Sequence, residues 1–84
     1  MAYSIDILRS AQKQLSRIDR QTQERIIAAI RKLAEEPLPS GSKKLSGRSA
    51  WRIRVGAYRV IYEIHDDRLM VLVVMIGHRS GVYR

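Results

Sequence analysis

Residues 51–62 alternate between apolar and mostly charged side chains on both sides of Gly56-Ala57. A period of two is typical of a strand with one buried face, and a glycine that opens a two-residue loop favours a tight hairpin turn. Such a turn fixes the register of the two strands and places Arg54 directly opposite Arg59. Like charges in that position destabilise a sheet, so the pair indicates that this surface holds something negative.

The same alternation divides the hairpin into two faces. The predicted core face carries Trp51, Ile53, Val55, Tyr58, Val60, Tyr62 and Ile64. The predicted open face carries Arg52, Arg54, Arg59, Ile61 and Glu63, with Arg52 opposite Ile61. One glutamate cannot neutralise three guanidinium groups, which favours a phosphate-binding groove over an inert charged surface.

Charge is concentrated in the second half of the chain. The formal net charge is +8, of which residues 43–84 carry nine basic and three acidic groups and therefore +6. An excess of this kind can serve only solubility, but an arginine-rich cluster favours a polyanion such as nucleic acid. No cysteine is present, so disulfides and zinc sites built on thiolates are excluded, and two histidines predict no metal site and no cofactor.

Eighty-four residues predict a single domain over 1–84. The first residues lack the basic and apolar regions of a signal peptide, and the longest apolar run, residues 69–76, is too short to span a bilayer. We therefore expect a soluble, cytoplasmic protein with no membrane partner.

Two helices are predicted between a first strand and the hairpin. The first strand covers residues 3–8, and Ser10 is the candidate N-cap of a short helix. Asp19 is the candidate N-cap of a second helix, whose isoleucines and Leu33 follow helical spacing and which ends before Pro37. The two helices are expected to form an antiparallel hairpin.

Further strands are expected after the helices. Residues 43–45 predict a short edge strand, and residues 69–76 are apolar throughout, which is typical of a central strand covered on both faces. The predicted class is α+β, with an N-terminal strand, an antiparallel two-helix hairpin, and then a mainly antiparallel sheet of three or four further strands.

The last eight residues combine groups that are useful for cutting RNA. His78, Arg79 and Tyr83 supply an imidazole, a guanidinium and a phenol. Cleavage by the neighbouring 2′-hydroxyl needs a base, cations that stabilise the phosphorane charge, and an acid for the leaving 5′-oxygen. A polar tail without function is the alternative interpretation of this segment.

Taken together, residues 44–47, residues 51–62 and the run Ile-Gly-His-Arg-Ser-Gly-Val-Tyr at 76–83 resemble the RelE branch of the RelE/ParE toxin superfamily. The resemblance covers nearly the whole chain and implies the compact fold of that family. It implies a toxin of a type II toxin-antitoxin system that enters the ribosomal A site and cuts messenger RNA through its own 2′-hydroxyl, and so inhibits translation.

The resemblance also implies roles for single residues. Arg59 matches the arginine that stabilises the phosphate, Arg79 the arginine at the scissile phosphate and leaving group, and Tyr83 the terminal tyrosine. Arg52 and Arg54 fall where the best-known members carry lysines, and arginine stays charged, so these two can supply only electrostatics. The base must then be Tyr83 or His78, and the two remain open. Arg48 and Lys44 are further candidates for RNA contact.

Partners follow from the same resemblance. We expect a cognate RelB-like antitoxin that lays an extended, partly helical and acidic segment over the toxin. The pair can form a hetero-oligomer that binds its own operator DNA through the antitoxin. Two alternatives stay open, namely a ParE-like inhibitor of DNA gyrase and a non-catalytic basic RNA-binding module.

Overall fold

The computed structural model describes residues 2–78 of the chain. These residues form, in order, strand β1 (Ser4–Ile7), helix α1 (Arg9–Ser16), helix α2 (Arg20–Lys32), strands β2 (Lys43–Lys44), β3 (Trp51–Val55) and β4 (Tyr58–His65), a 3-10 turn (Asp66–Arg68), and strand β5 (Met70–His78). The strands of this part of the chain lie in one sheet in the order β1-β5-β4-β3-β2. Strand β1 runs parallel to β5, and the other neighbours are antiparallel. The predicted α+β class is confirmed.

The two helices begin in different ways. Asp19 caps α2 as predicted, because its carboxylate accepts a hydrogen bond from the Thr22 amide at 3.0 Å. Ser10 is not a cap, since α1 begins at Arg9 and Leu8 occupies the cap position without a side-chain bond. The Leu8 amide still donates to the Val73 carbonyl of β5, so the helix starts directly where strand pairing ends.

The core lies between the helices and one face of the sheet, which we call the core face. Buried residues of both helices share a single cluster with side chains of β3, β4 and β5. The predicted hairpin residues of this face, from Trp51 to Ile64, all belong to the cluster or pack against it. From the helices the cluster takes Ala11, Ile18, Ile26 and Ile30, together with Leu33 just after α2.

Strand β5 is central, as its apolar run predicts, but its two faces differ. Val71, Val73 and Ile76 are buried in the core. Leu72 and Met75 project to the other face, which we call the open face, and remain half-buried. The expectation of cover on both faces is wrong within residues 2–78, because both helices pack on the core face. None of the helices in this range is long and apolar enough to cross a membrane.

Candidate nucleic-acid interface

The β3–β4 hairpin gathers arginines on the open face. Its register pairs Arg54 with Arg59 and Arg52 with Ile61, as the sequence predicts. Gly56 has a φ of +59° and stands first in the two-residue turn, while Ala57 keeps a negative φ, which is the geometry of a type II′ turn. Three guanidinium groups therefore start from neighbouring positions on one surface.

Arg59 is the most enclosed of the three. It lies on β4 between Arg54 of β3 and Gly77 of β5, its side chain is half-buried, and its Nε atom is shielded from solvent. A charge that is partly removed from water acts more strongly on a nearby anion than one in bulk solvent. This position suits a group that stabilises charge at a reacting phosphate.

Ile61 shares the open face with the arginines, yet it is fully buried. The alternation of apolar and charged residues in the sequence assigns Ile61 to the correct face, but it does not predict that Ile61 is buried there. Its cross-strand neighbours are Arg52 on one side and Met75 on the other, and their long stems can cover an isoleucine while the charged head stays in water. Arg52 is accordingly half-buried. The open face is thus an apolar centre with guanidinium groups at its border.

The carboxylates that the structure describes do not neutralise Arg52 or Arg54. Within residues 2–78 neither arginine forms an ion pair. Glu63, the acidic residue of the predicted face, lies 2.9 Å by its Oε1 from Nε2 of His65. The glutamate therefore engages the histidine at the far end of β4, and the positive field of the two arginines remains available to a polyanion.

His78 is the last residue that the structure describes, and it lies on the other side of the sheet from Arg59. It pairs with Tyr58, and the two rings meet edge to face with centroids 5.5 Å apart and planes at 80°. Both residues share the core-face side of the sheet with Ile76. Strand geometry thus does not bring the His78 imidazole to the open face. Arg79 and Tyr83 lie outside the described residues.

Lys44 and Arg48 are also separated from the arginines of the hairpin. Lys44 pairs with Trp51 and lines a cavity of about 450 Å³ on the core-face side, together with Trp51, Glu36 and Asp66. Arg48 is exposed in the segment between β2 and β3. The lysine that shares the open face is Lys43, which pairs with Arg52.

Arg25 is a further cation near the hairpin that the sequence pattern does not indicate. A Cβ built on Gly56 would meet the terminal nitrogens of Arg25 at 3.8 and 4.0 Å, so this α2 guanidinium lies over the hairpin turn. Basic side chains therefore stand on both sides of the turn, with Arg54 and Arg59 on the open face and Arg25 from the helix layer.

Comparison with known proteins identifies the family of this chain. A family profile described as the ParE toxin of type II toxin-antitoxin systems matches residues 5–83. The toxin RelG of Mycobacterium tuberculosis is 29% identical over 92 residues, covering 100% of this chain and 99% of the relative. A putative RelE-like toxin of Escherichia coli is 25% identical over 87 residues, covering 99% of this chain and 92% of the relative.

Solved structures share the fold. An archaeal RelE–RelB complex from Pyrococcus horikoshii superposes with a TM-score of 0.85 at 25% identity, covering 98% of this chain and all of the other. The isolated RelE toxin of E. coli gives 0.81 at 21% identity, covering 99% and 87%. The chain therefore belongs to the ParE toxin family of type II toxin-antitoxin systems and is a RelE-like toxin of the RelE/ParE superfamily.

Proposed function

We propose that this toxin is a ribosome-dependent endoribonuclease that cuts messenger RNA in the ribosomal A site and thereby inhibits translation. The observation that carries the proposal is the collection of Arg52, Arg54 and Arg59 on one open sheet face. The repulsion between two facing arginines costs little stability once an anion is bound to the surface that carries them. Phosphodiesters of RNA are such anions.

The proposed chemistry is attack by the 2′-hydroxyl on the adjacent phosphate, which leaves a cyclic phosphate and a free 5′-hydroxyl. Arg59 stabilises the negative charge that grows on the phosphate oxygens, because it is partly shielded from water. Arg79 follows His78 by one peptide unit, and we assign it to the scissile phosphate and the leaving oxygen. Arg52 and Arg54 hold the RNA and cannot accept the proton, since guanidinium stays charged.

The base remains to be chosen between His78 and Tyr83. His78 carries an imidazole, the most common general base of enzymes, but it lies on the core-face side against Tyr58. A phenol acts as a base near neutral pH only when positive charge lowers its pKa, so Tyr83 would need such a charge beside it. Single-turnover cleavage by His78→Gln and by Tyr83→Phe across pH separates them, because loss of the true base removes the ascending limb of the pH profile.

We propose a RelB-like antitoxin as partner. Solved relatives from M. tuberculosis, P. horikoshii and E. coli are complexes of RelE with RelB. A net charge of +8 favours an acidic partner segment, and such a segment would compete with RNA for the open face. We also propose that the complex binds its own operator DNA through the antitoxin.

The decisive experiment incubates purified protein with a programmed ribosome and, separately, with naked RNA, and maps any cuts and their end groups. We expect cuts in the A site codon with 2′,3′-cyclic phosphate ends. Arg59→Ala should lower the rate on the order of 10²–10³-fold, as loss of an oxyanion contact does. Arg31→Ala, an exposed arginine in the last turn of α2, is the matched control and should cut normally. Intact message, or equal cutting by Arg59→Ala, contradicts the proposal.

A second candidate function is inhibition of DNA gyrase. The observation that favours it is the family profile that matches residues 5–83, because this profile is described as that of the ParE toxin and the alternative is a ParE-like inhibitor. A purified supercoiling assay tests it directly. Inhibition of gyrase by the toxin, with intact message on the ribosome, would replace the ribonuclease proposal.

A further inference from the structure

A second concavity lies on the outer side of the hairpin. Strand β2 pairs with β3 only through Lys43 and Lys44, and the chain then turns away at Ser42. The gap between this departing chain and β3 is a cavity of about 320 Å³. It is lined by Ser40, Gly41, Lys43, Arg52, Ile53 and Arg54. Among residues 2–78 no carboxylate lines it, in contrast to the larger cavity, which Glu36 and Asp66 line.

The charges around this cavity repel one another. Lys43 stands directly opposite Arg52, and Arg54 stands directly opposite Arg59. Two like-charged cross-strand pairs in neighbouring positions each destabilise the sheet. One anion in the cavity would reach the Lys43, Arg52 and Arg54 side chains and relieve this repulsion.

The uncharged side of the cavity is formed by a turn over residues 39–42 that hydrogen bonds hold in place. The Ser42 amide donates to the Pro39 carbonyl at 3.0 Å, and Gly41 has a φ of +93°, which is the geometry of a type II turn with glycine at the third position. The buried Tyr62 hydroxyl anchors the start of the loop by donating to the Pro37 carbonyl at 2.6 Å. Ser40 and Gly41 can thus present a hydroxyl and amides to a ligand without rearrangement.

We propose that this cavity is a phosphate subsite for the RNA strand, with Lys43 as its distinguishing residue. Lys43 lies on β2, two strands away from Arg59 on β4, so the cavity binds a backbone phosphate beside the one that Arg59 stabilises. Lys43 is a binding residue here and takes no part in bond making. The inference rests on the proposed function for the identity of the RNA, but the site can be tested without any cleavage.

The test measures binding of a short single-stranded RNA that is 2′-O-methylated at every sugar and therefore cannot be cut. Lys43→Gln should lower the slope of log K against log salt by about 0.7, because one phosphate contact is lost. Lys43→Arg should keep the slope. Lys32→Gln removes an exposed lysine at the end of α2 and is the matched control, with an expected slope equal to wild type. The amide signals of Ser40 and Gly41 should shift on RNA addition in wild type.

Two results would overturn the subsite. One is a slope for Lys43→Gln equal to that of Lys32→Gln, and the other is unchanged Ser40 and Gly41 signals at saturating RNA. If Lys43→Gln binds the oligonucleotide like wild type but binds empty ribosomes more weakly, the phosphate belongs to ribosomal RNA and the assignment to the cut strand is wrong. Absence of ribosomal cleavage, with the expected binding results, would remove the proposed function and leave the subsite.

Discussion

Replacing Tyr62 by phenylalanine tests how the loop beside the proposed subsite is held. Tyr62 is fully buried on β4, and its hydroxyl donates to the Pro37 carbonyl at 2.6 Å. Removing the hydroxyl leaves that carbonyl without its donor, which costs about 1–3 kcal/mol of unfolding free energy. We therefore expect Tyr62→Phe to fold but to unfold at lower urea concentration at neutral pH.

The same substitution should change the pH dependence of stability. Burial raises the pKa of Tyr62 from 10.0 to about 12, and a hydrogen bond with Ser42 opposes the rise. Because the pKa of Tyr62 is higher in the folded than in the unfolded chain, its contribution to the unfolding free energy is fully present below pH 10. That contribution is lost as pH rises toward about 12. One pKa unit corresponds to about 1.4 kcal/mol, so the full loss is roughly 2.7 kcal/mol, and half of it is reached near about pH 11.

Urea unfolding of wild type and Tyr62→Phe from neutral pH to about pH 11 measures both quantities. The difference between the two proteins should shrink by about 1.4 kcal/mol over the alkaline range, because the variant has no phenol at this position. All other ionisable groups are the same in the two proteins, so their contributions to the difference in unfolding free energy cancel. Parallel curves would refute the reasoning, since they would mean that the Tyr62 hydroxyl ionises equally well in the folded and unfolded chain.

Three further substitutions test the hairpin and the helix cap. Arg54→Gln should raise the unfolding free energy by about 0.2–1 kcal/mol at low salt by removing repulsion with Arg59, and a gain that survives unchanged at high salt would contradict that cause. Gly56→Ala should cost about 1–2 kcal/mol because φ is +59°, whereas Ala57→Gly, the control, should cost less. Asp19→Ala should destabilise α2. Hydrogen bonds from Thr22 lower the pKa of Asp19 in the folded chain. Wild type should therefore lose the stabilisation that the cap provides as pH falls below the unfolded pKa of 3.8. Equal acid sensitivity in the variant would show that the cap contributes nothing.

The hairpin was predictable in detail because its information is local. Alternation assigns the faces, and glycine in a two-residue turn fixes the pairing, so the opposition of Arg54 and Arg59 follows from the sequence. The Asp19 cap is equally local, since its bond reaches only to Thr22. The prediction that Ser10 caps α1 is wrong because the start of α1 is set by a distant residue. The Leu8 amide donates to the Val73 carbonyl of β5, and the helix begins directly after this bond.

Positions that depend on distant parts of the chain were not predictable. Strand β2 has two residues and no alternation, so nothing in the sequence decides whether Lys43 or Lys44 faces the arginines, and a shift by one residue exchanges the faces. Arg25 reaches the turn only because α2 packs across the sheet. His78 appears beside the catalytic candidates in sequence, yet the pleat of β5 directs it away from Arg59.

The parallel pairing of β1 with β5 has a consequence for synthesis of the chain. Strand β1 finds its partner in β5, the last strand within residues 2–78, and the Tyr3 hydroxyl donates to Asp66 across 63 positions of sequence. Strand β5 also lies between β1 and β4, so while it is still inside the exit tunnel β1 has no neighbour and the helices lack their central support. Contacts of such long range form slowly and late. The sheet therefore cannot close during synthesis until β5 has left the exit tunnel.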